Sequence, residues 1–361
     1  MVTRTRVLGD AVESLFEGSY AAPLVGLERE LFAYRHEDPT AAVTIADMRP
    51  HLADVPDVAF EPGGQVELNP GPQPTAAAAV AVLRERERAA RAALAGAGIH
   101  LAAAGLDPWR RPERIGLQLT SSRYCDLDRY LSRRGSAGRR FMRQTAGLHV
   151  CVDLRPGAEG VVQWRAANLV APVLAALFAN SRYCEGRRLT TDGGRTAVCL
   201  ATDPARMAYG RLGRTRDVVG EYARFAAAAP TLSERFRDVD AHLSTLFPAV
   251  RPRGRYLELR CLDSMPGSDL PVAVALAWLL LGVRGVDDEV LAGLDSCDVP
   301  ALWELAAGPG ILHPTARGIA VRLLRIASAA VDVLPPGELP PDACAGLADL
   351  LERTTRQRRS A

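Results

Sequence analysis

Four segments of this sequence alternate between apolar and polar residues. This pattern is expected of a β-strand that buries one face and carries charged side chains on the other. Successive side chains of a strand point to opposite faces, so residues two apart share a face. The segments are 23–34 with Glu28 and Glu30, 57–69 with Glu61 and Glu67, 146–154 with His149, and 255–262 with Glu258 and Arg260. A chain with this pattern is expected to form a sheet with one apolar and one polar face. Pro62, Gly63 and Gly64 interrupt the second segment and can shift its register.

Most of the remaining chain has a helical pattern. Helices are predicted over 75–97, 126–143 and 162–179, twice between 215 and 245, and from 268 onward. Because strands do not alternate regularly with helices, we predict an α+β fold with a mostly antiparallel sheet. We expect one domain over 1–361, with 1–20 as a lead-in, 268–350 as helices packed on the sheet, and 352–361 as a disordered tail.

The sequence contains no lysine, so all 44 residues in its lysine-plus-arginine count are arginines. A Walker phosphate loop, the lysine-bearing strand of protein kinases and a pyridoxal Schiff base all need a lysine. These three kinds of site are therefore excluded. If the chain handles ATP, arginines and metal ions must balance the phosphates.

Charge and cysteine usage indicate a protein of the cytoplasm. The net charge is +2, which gives no reason to expect a nucleic-acid or membrane partner. The seven cysteines have no CxxC spacing, which argues against a zinc site and favours reduced thiols. The first residues lack the apolar stretch of a signal peptide, and the longest apolar run, 270–283, is too short to span a bilayer.

The candidate polar face carries five glutamates, and crowded carboxylates repel one another more strongly when they are buried. Hard divalent cations relieve such crowding, and Mg²⁺ bound together with nucleotide phosphates is the usual arrangement. The alternative is that this face lies in water and the acids are simply solvated. The residues by themselves indicate a possible metal site and do not name a reaction.

Sequence motifs follow one another in order between about residues 23 and 283. They are GLERE at 26–30, FEPGGQVEL at 60–68, TAGLHV at 145–150, APV and FANS between 171 and 181, DPAR at 203–206, HLSTLFP at 242–248 and YLELR at 256–260. In this combination they resemble the glutamate–cysteine ligases of the plant and bacterial carboxylate–amine ligase type. The late motifs are similar to the actinobacterial enzymes that make γ-glutamylcysteine for ergothioneine.

The resemblance implies a glutamine-synthetase-like fold, in which an antiparallel sheet forms a funnel with helices outside, and a single catalytic domain. It also implies that ATP phosphorylates the side-chain carboxylate of glutamate, and that the amine of cysteine then attacks the γ-glutamyl phosphate. Such a reaction depends on positioning and charge neutralisation more than on a covalent nucleophile.

The resemblance also implies roles for individual residues. Two or three Mg²⁺ ions would be held by Glu28, Glu30, Glu61, Glu67 and Glu258. Arg260 would stabilise the transferring phosphate, His149 would lie beside metals or phosphates, and Arg195 would contact substrate or phosphate. Gln65, Asn180 and Cys199 complete the predicted substrate-binding set. For His149 the alternative is a packed or surface histidine, and for Arg260 a structural ion pair.

This sequence departs from the family pattern next to Arg195. Gly194 stands where the family has a serine, and Cys199 stands where it has a tryptophan. The change in pocket shape motivates a second hypothesis, a γ-glutamyl ligase with another amine acceptor in natural-product biosynthesis. A third hypothesis is a catalytically inactive nucleotide-binding homologue, although all five candidate glutamates are retained.

Overall fold

A seven-stranded antiparallel sheet organises the chain, whose computed structural model describes residues 2–17, 23–208, 210 and 217–356. Its strands are β1 (Val25–Arg35), β2 (Val58–Phe60), β3 (Val66–Leu68), β4 (Ile99–Ala102), β5 (Gly147–Asp153), β8 (Val250–Arg253) and β9 (Tyr256–Asp263), and β6 (Tyr183–Cys184) and β7 (Arg187–Arg188) form a separate hairpin. The spatial order is β2-β3-β1-β5-β9-β8, and β4 pairs with the second half of β1.

Strand register aligns the charged residues across the sheet. Glu30 of β1 lies opposite Glu67 of β3, and Glu28 lies opposite His149 of β5. Glu258 of β9 lies opposite both Cys151 of β5 and Arg251 of β8. Because residues at paired positions share a face, the acids predicted on separate strands form one row.

A β-bulge interrupts the pairing of β5 with β9. Val150 pairs with Leu259 but Leu148 pairs with Leu262, so Arg260 and Cys261 both lie opposite His149. A bulge of this kind places two residues of one strand against one residue of its neighbour. Strict alternation along β9 would put Cys261 on the face opposite Arg260, and the bulge was not predicted.

The segment predicted as one interrupted strand over 57–69 is a hairpin of two strands, β2 and β3. The Gly64 N–H donates to the Glu61 carbonyl at 2.8 Å, and the Glu61 N–H donates to the Gln65 carbonyl at 2.9 Å. Gly64 has φ +83°, a conformation that glycine adopts without strain. The Pro62-Gly63-Gly64 turn therefore reverses the chain and carries Glu61 to the start of the turn.

Helices surround the sheet, and some of them pack on its apolar face. They are α1 (Val2–Glu13), α2 (Ile45–Leu52), α3 (Ala76–Ala95), α4 (Pro112–Ile115), α5 (Ser122–Ser132), α6 (Ser136–Arg143), α7 (Gly157–Leu177), α8 (Gly194–Ala201), α9 (Pro204–Met207), α10 (Val218–Ala228), α11 (Val239–Leu243), α12 (Leu270–Leu281), α13 (Val286–Leu294), α14 (Val299–Ala307), α15 (Pro314–Val331) and α16 (Ala343–Arg356), with 3-10 turns at Ser14–Phe16, Glu234–Phe236 and Gly310–Leu312. Helices α5, α6 and α8 contribute to a cleft on the polar face of the sheet. The predicted α+β class, an antiparallel sheet with surrounding helices, is confirmed.

One apolar cluster joins the sheet to the helices from both ends of the chain, from Leu8 in α1 to Leu350 in α16. Helix α7 is apolar on nearly all sides because it lies within this cluster. It is long and apolar enough to cross a membrane, but 72% of its most apolar window is buried inside the protein. Burial of this kind is typical of a core helix.

The structure describes parts of the two predicted terminal segments. Residues 2–13 of the predicted lead-in form α1, which packs against α10. Helix α16 continues through Arg356, so the first five residues of the predicted disordered tail are helical. Residues 1, 18–20 and 357–361 of these segments lie outside the described part of the chain.

Candidate active site

The polar face of the sheet forms the floor of a cleft with about 530 Å³ open to water. Nine of the residues singled out from the sequence line this cleft: Glu28, Glu30, Glu61, Gln65, Glu67, His149, Arg195, Glu258 and Arg260. The structure thus brings together side chains from β1, β3, β5, β9, the β2–β3 turn and helix α8. Asn180 and Cys199 do not line the cleft.

Two clusters of possible metal ligands lie in the cleft, and we call them the first and second carboxylate groups. The first consists of Glu28, His149 and Glu258. His149 Nδ1 lies 2.9 Å from Glu28 Oε2 and 3.7 Å from Glu258 Oε1. One ligand atom from each of the three residues lies within 4.8 Å of the others. The cross-strand pairing of Glu28 with His149 produces this spacing, and Asn69 donates to the second oxygen of Glu28 at 3.3 Å.

The second carboxylate group is formed by Glu30, Glu61 and Glu67, whose oxygens also lie within 4.8 Å of one another. The Gly147 backbone N–H donates to Glu30 Oε2 at 2.6 Å and fixes the orientation of that carboxylate. His149 Nε2 lies 3.7 Å from Glu30 Oε1. The imidazole therefore stands between the two groups and contacts both.

Electrostatics in the second group favour a bound proton or a bound cation. Burial, the Glu30 charge and the neighbouring Glu67 raise the pKa of Glu61 well above its usual value. Burial and the charges of Glu30 and Glu28 also raise the pKa of Glu67, although a hydrogen bond from Glu61 opposes the shift. The carboxyl groups of Glu61 and Glu67 can lie this close together only if they share a proton or face a cation.

The donor atoms of both groups suit a hard divalent metal ion. Five carboxylates and one imidazole offer mainly oxygen ligands, which suit Mg²⁺. The ion would take the place of the shared proton and relieve the repulsion that raises the pKa of Glu61. Mg²⁺ keeps open positions for water or phosphate oxygens, so three protein ligands for each ion are sufficient.

Arg251 and Arg260 flank Glu258 in the cleft and hold its carboxyl group ionised. Glu258 is fully buried, and Arg251 Nε donates to its Oε2 at 2.7 Å while Arg260 donates to Oε1. Burial alone would raise the pKa of Glu258, but the charges of Arg260 and Arg251 lower it far below its usual value. Burial alone would lower the pKa of Arg260, and the surrounding glutamates raise it instead.

Several residues lining the cleft were not found from the sequence. They are Asn69, Arg123, Tyr124, Arg251, Arg253 and Tyr256, together with hydrophobic side chains from α5 and α6. Arg251 and Arg253 belong to β8. This strand was not predicted, because it is only four residues long and contains Pro252. The period-two spacing of the two arginines was the available signal.

Arg195 is buried near the start of α8 and is held by the backbone of β9. Its terminal nitrogens donate to the Leu262 and Arg260 carbonyls at 3.1 and 3.0 Å, but its Nε has no partner among the described residues. A Cβ at Gly147 would lie 2.5 Å from the guanidinium. Glycine at that position therefore lets Arg195 lie against β5.

The departure at Gly194 is explained by local packing. A Cβ at this position would lie 2.6 Å from the Ser181 carbonyl oxygen and 2.7 Å from the Leu189 side chain. The serine expected from the family pattern would not fit without movement of the Ser181 backbone. Glycine at position 194 therefore allows the Ser181 backbone and the Leu189 side chain to lie against the start of α8.

Gln65 and Asn180 are held by backbone hydrogen bonds in different places. Gln65 lines the cleft, where its amide donates to the Thr145 carbonyl at 2.6 Å and its buried Oε1 has no partner among the described residues. The Asn180 side-chain amide donates to the Ala103 and Ser264 carbonyls at 3.2 and 2.9 Å. Asn180 thus links two loops outside the cleft. It does not line the cleft, although it was predicted to bind substrate.

Cys199 lines a smaller cavity that we call the side cavity, with about 50 Å³ open to water. It adjoins the cleft at four residues that line both spaces: Phe141, Arg195, Phe247 and Arg260. Its lining also includes Cys199, Met207, Cys261 and Trp303. Helix α14 contributes Trp303, which no sequence motif indicated.

Comparison with known proteins gives a consistent result. Residues 24–304 match the family described as Glutamate-cysteine ligase family 2 (GCS2). The glutamate–cysteine ligase EgtA of Mycolicibacterium smegmatis is 30% identical over an alignment that covers 93% of this chain and 85% of that protein. The chloroplastic glutamate–cysteine ligase of Arabidopsis thaliana is 30% identical over 66% of this chain and 51% of that protein.

Solved structures share the fold at low sequence identity. A glutamate–cysteine ligase from Francisella tularensis in complex with AMP superposes with a TM-score of 0.59 at 13% identity, covering 95% of this chain and 84% of that one. A bifunctional glutathione synthetase from Pasteurella multocida gives 0.54 at 14% identity, covering 97% of this chain and 48% of that one.

Proposed function

Because the chain belongs to glutamate–cysteine ligase family 2, we propose that it joins the γ-carboxylate of glutamate to the amine of cysteine at the expense of ATP. The observation that carries the proposal is that the two carboxylate groups line one cleft together with Arg251 and Arg260. Paired cation sites beside arginines suit a reaction in which a phosphoryl group moves between two carboxyl or phosphate oxygens.

The two carboxylate groups would each hold one Mg²⁺ ion. Glu28, His149 and Glu258 would form one site, and Glu30, Glu61 and Glu67 the other. The bound ions would neutralise phosphate charge and orient the triphosphate, the usual contribution of such metals.

The chain's own residues would position the reactants. Arg260, held by Glu258, presents a cation toward the cleft, where it would stabilise the phosphoryl group in transfer. Arg195 and Gln65 also line the cleft and would bind the amino-acid substrates. The γ-glutamyl phosphate would then react with the cysteine amine, whose nitrogen forms the amide bond as phosphate leaves.

Cysteine is the acceptor that the family relationship favours. A different amine acceptor is the second candidate, and the observation that favours it is the side cavity lined by Cys199. We also propose that the protein acts in the cytoplasm and that its product, γ-glutamylcysteine, is used to make ergothioneine. A catalytically inactive homologue remains the third hypothesis, which metal-dependent ATP turnover would exclude.

The experiment is a measurement of ADP release with Mg-ATP and glutamate, in the presence and absence of cysteine. We expect ADP release that depends on both amino acids, and a product with the mass of γ-glutamylcysteine. The control replaces cysteine by a panel of other amino acids at equal concentration. Equal turnover with several of them would favour the second candidate, and no turnover with any amine would favour an inactive homologue.

A further inference from the structure

Gln118, in the loop between α4 and α5, holds the β2–β3 turn from outside. Its backbone N–H donates to the Pro62 carbonyl at 2.7 Å, and its side-chain Nε2 donates to the Gly63 carbonyl at 3.1 Å. Gly64 packs so closely on the same amide that a Cβ there would lie 2.4 Å from Nε2. Gln118 therefore contacts all three residues of the turn that follows Glu61.

The other end of this contact is the start of helix α2. The Ile45 backbone N–H donates to Gln118 Oε1 at 2.7 Å, and Nε2 also donates to the Val43 carbonyl at 3.3 Å. Because Ile45 offers a donor while Val43 and Gly63 offer acceptors, these partners allow one orientation of the amide. Helix α2 begins with a capping box, so the point of attachment is itself fixed.

The second carboxylate group needs an external support because its members repel one another. Oxygens of Glu30, Glu61 and Glu67 lie within 4.8 Å of one another, and like charges this close separate unless a proton or a cation lies between them. Glu30 and Glu67 lie opposite each other on paired strands, where the ladder holds them. Glu61 lies just beyond the end of β2, so its position depends on the turn.

The loop that contains Gln118 also leads into α5, which forms one side of the cleft. The first turn of α5 lines the cleft with Arg123 and Tyr124. Burial and the charge of Glu61 raise the pKa of Tyr124, so this end of the helix lies near that carboxylate. Arg123 donates to the hydroxyl and the carbonyl of Ser244, both at 2.8 Å. The support of the turn is thus joined to a part of the cleft that has its own attachment.

We infer that Gln118 is a positioning residue for the cation of the second carboxylate group, because its hydrogen bonds to the β2–β3 turn hold the Glu61 carboxylate beside Glu30 and Glu67. This assignment rests on the proposed function, in which that group holds one Mg²⁺ ion. Gln118 does not line the cleft and acts only through the turn. A site that is already assembled loses less freedom when the ion binds, so its affinity is higher.

Replacement of Gln118 by methionine removes the side-chain hydrogen bonds and keeps a side chain of similar length. Mn²⁺ is the probe, since carboxylates that suit Mg²⁺ also bind Mn²⁺ and free Mn²⁺ is counted by electron paramagnetic resonance. We expect the wild type to bind two ions, and Gln118→Met to bind one of them about tenfold more weakly. Unchanged binding of both ions, or equal weakening of both, would overturn the assignment.

A second substitution identifies which ion is affected. Glu61→Gln removes a ligand of the second carboxylate group, so it should weaken the same ion as Gln118→Met. Adding Gln118→Met to Glu61→Gln should then leave the binding of the other ion unchanged, because the two positions act on one site. Further weakening of that other ion in the double variant would show a general disturbance of the fold and contradict the positioning role.

Gln163→Met is the matched control, because Gln163 uses its amide in the same way far from the turn. Its Nε2 donates to the Asp153 and Leu281 carbonyls, and its Oε1 accepts from the Arg155 N–H. We expect this variant to melt at a lower temperature and to bind both Mn²⁺ ions as the wild type does. If it weakens the same ion as Gln118→Met, loss of stability explains both results and the assignment fails.

Gln118→Asn covers the case in which the methionine variant does not fold. It keeps the amide but shortens the side chain by one methylene, so it cannot reach the turn and α2 together. We expect a smaller weakening of the same ion than in Gln118→Met. Binding of both ions with wild-type affinity by a folded Gln118→Asn protein would contradict the assignment.

Turnover separates this assignment from the proposed function. We expect Gln118→Met to need about tenfold more Mg²⁺ for half-maximal cysteine-dependent ADP release, with kcat at saturating Mg²⁺ within about threefold of wild type. A wild type that is active, combined with unaltered Mn²⁺ binding in both Gln118 variants, would refute only the positioning role. A wild type that binds no Mn²⁺ would refute the metal sites of the proposed function and the positioning role with them.

Discussion

Replacing Glu61 by glutamine should stabilise the metal-free protein, although it removes a candidate metal ligand. Glu61 has an oxygen within 4.8 Å of oxygens of Glu30 and Glu67. At an effective dielectric constant of about 20, two full charges at that distance repel by about 3.5 kcal/mol. Proton uptake by Glu61 relieves part of this energy, so we expect a net gain of about 1–3 kcal/mol in the free energy of unfolding at pH 7.

The sign of the pH dependence follows from the raised pKa of Glu61. Its folded-state pKa lies above the unfolded value near 4.5, so stability is fully present below that value and is lost as pH rises toward the folded-state pKa. We therefore expect wild type and Glu61→Gln to melt at similar temperatures near pH 4. The variant should melt a few degrees higher at pH 7 to 8, since a gain of 1 kcal/mol corresponds to roughly 2 °C in a chain of this size.

The assay is thermal melting in EDTA across this pH range, followed by the same series with Mg²⁺. We expect Mg²⁺ to stabilise the wild type more than the variant, because binding to the folded state shifts the melting temperature upward. Glu159→Gln is the control, since Glu159 is exposed and forms an ion pair with the exposed Arg284. A variant less stable than wild type at pH 8 in EDTA would show that the repulsion inferred from the structure is not present.

Three further outcomes follow from the site. Glu67→Gln should abolish cysteine-dependent ADP release while the melting temperature in EDTA holds or rises; a collapse of folding would make Glu67 structural. Glu258→Gln should have the opposite effect on folding, a loss of about 3–5 kcal/mol in denaturant unfolding, because it leaves the buried Arg251 without its carboxylate partner. Gly64→Ala should destabilise by about 1–2 kcal/mol, since its φ is +83° and its Cβ would meet Gln118, and unchanged urea unfolding would contradict this.

The row of acids was predictable because strand periodicity is a local property. Glu28 and Glu30, and likewise Glu258 and Arg260, are two residues apart, so each pair shares a face whichever strands lie next to it. The sequence could not show that Glu28 would pair with His149, because register depends on contacts between distant segments. The antiparallel α+β fold followed from the same local patterns, together with the family resemblance.

The side cavity was not predictable for a related reason. Cys199, Cys261 and Trp303 come from α8, β9 and α14, which are separated by about forty to one hundred residues along the chain. No periodic pattern links positions so far apart. The β-bulge that puts both Arg260 and Cys261 opposite His149 also has no clear signal in the sequence YLELRCLD.

That bulge has a consequence for how this protein can change over time. It divides β9 into two halves that are out of phase with each other, and Glu258 lies before the break while Cys261 lies at it. Substitutions at or beyond the break can reshape the wall of the side cavity without altering the phase of the strand that carries Glu258. The side cavity can therefore diverge among descendants of this protein while the carboxylate group that contains Glu258 is inherited intact.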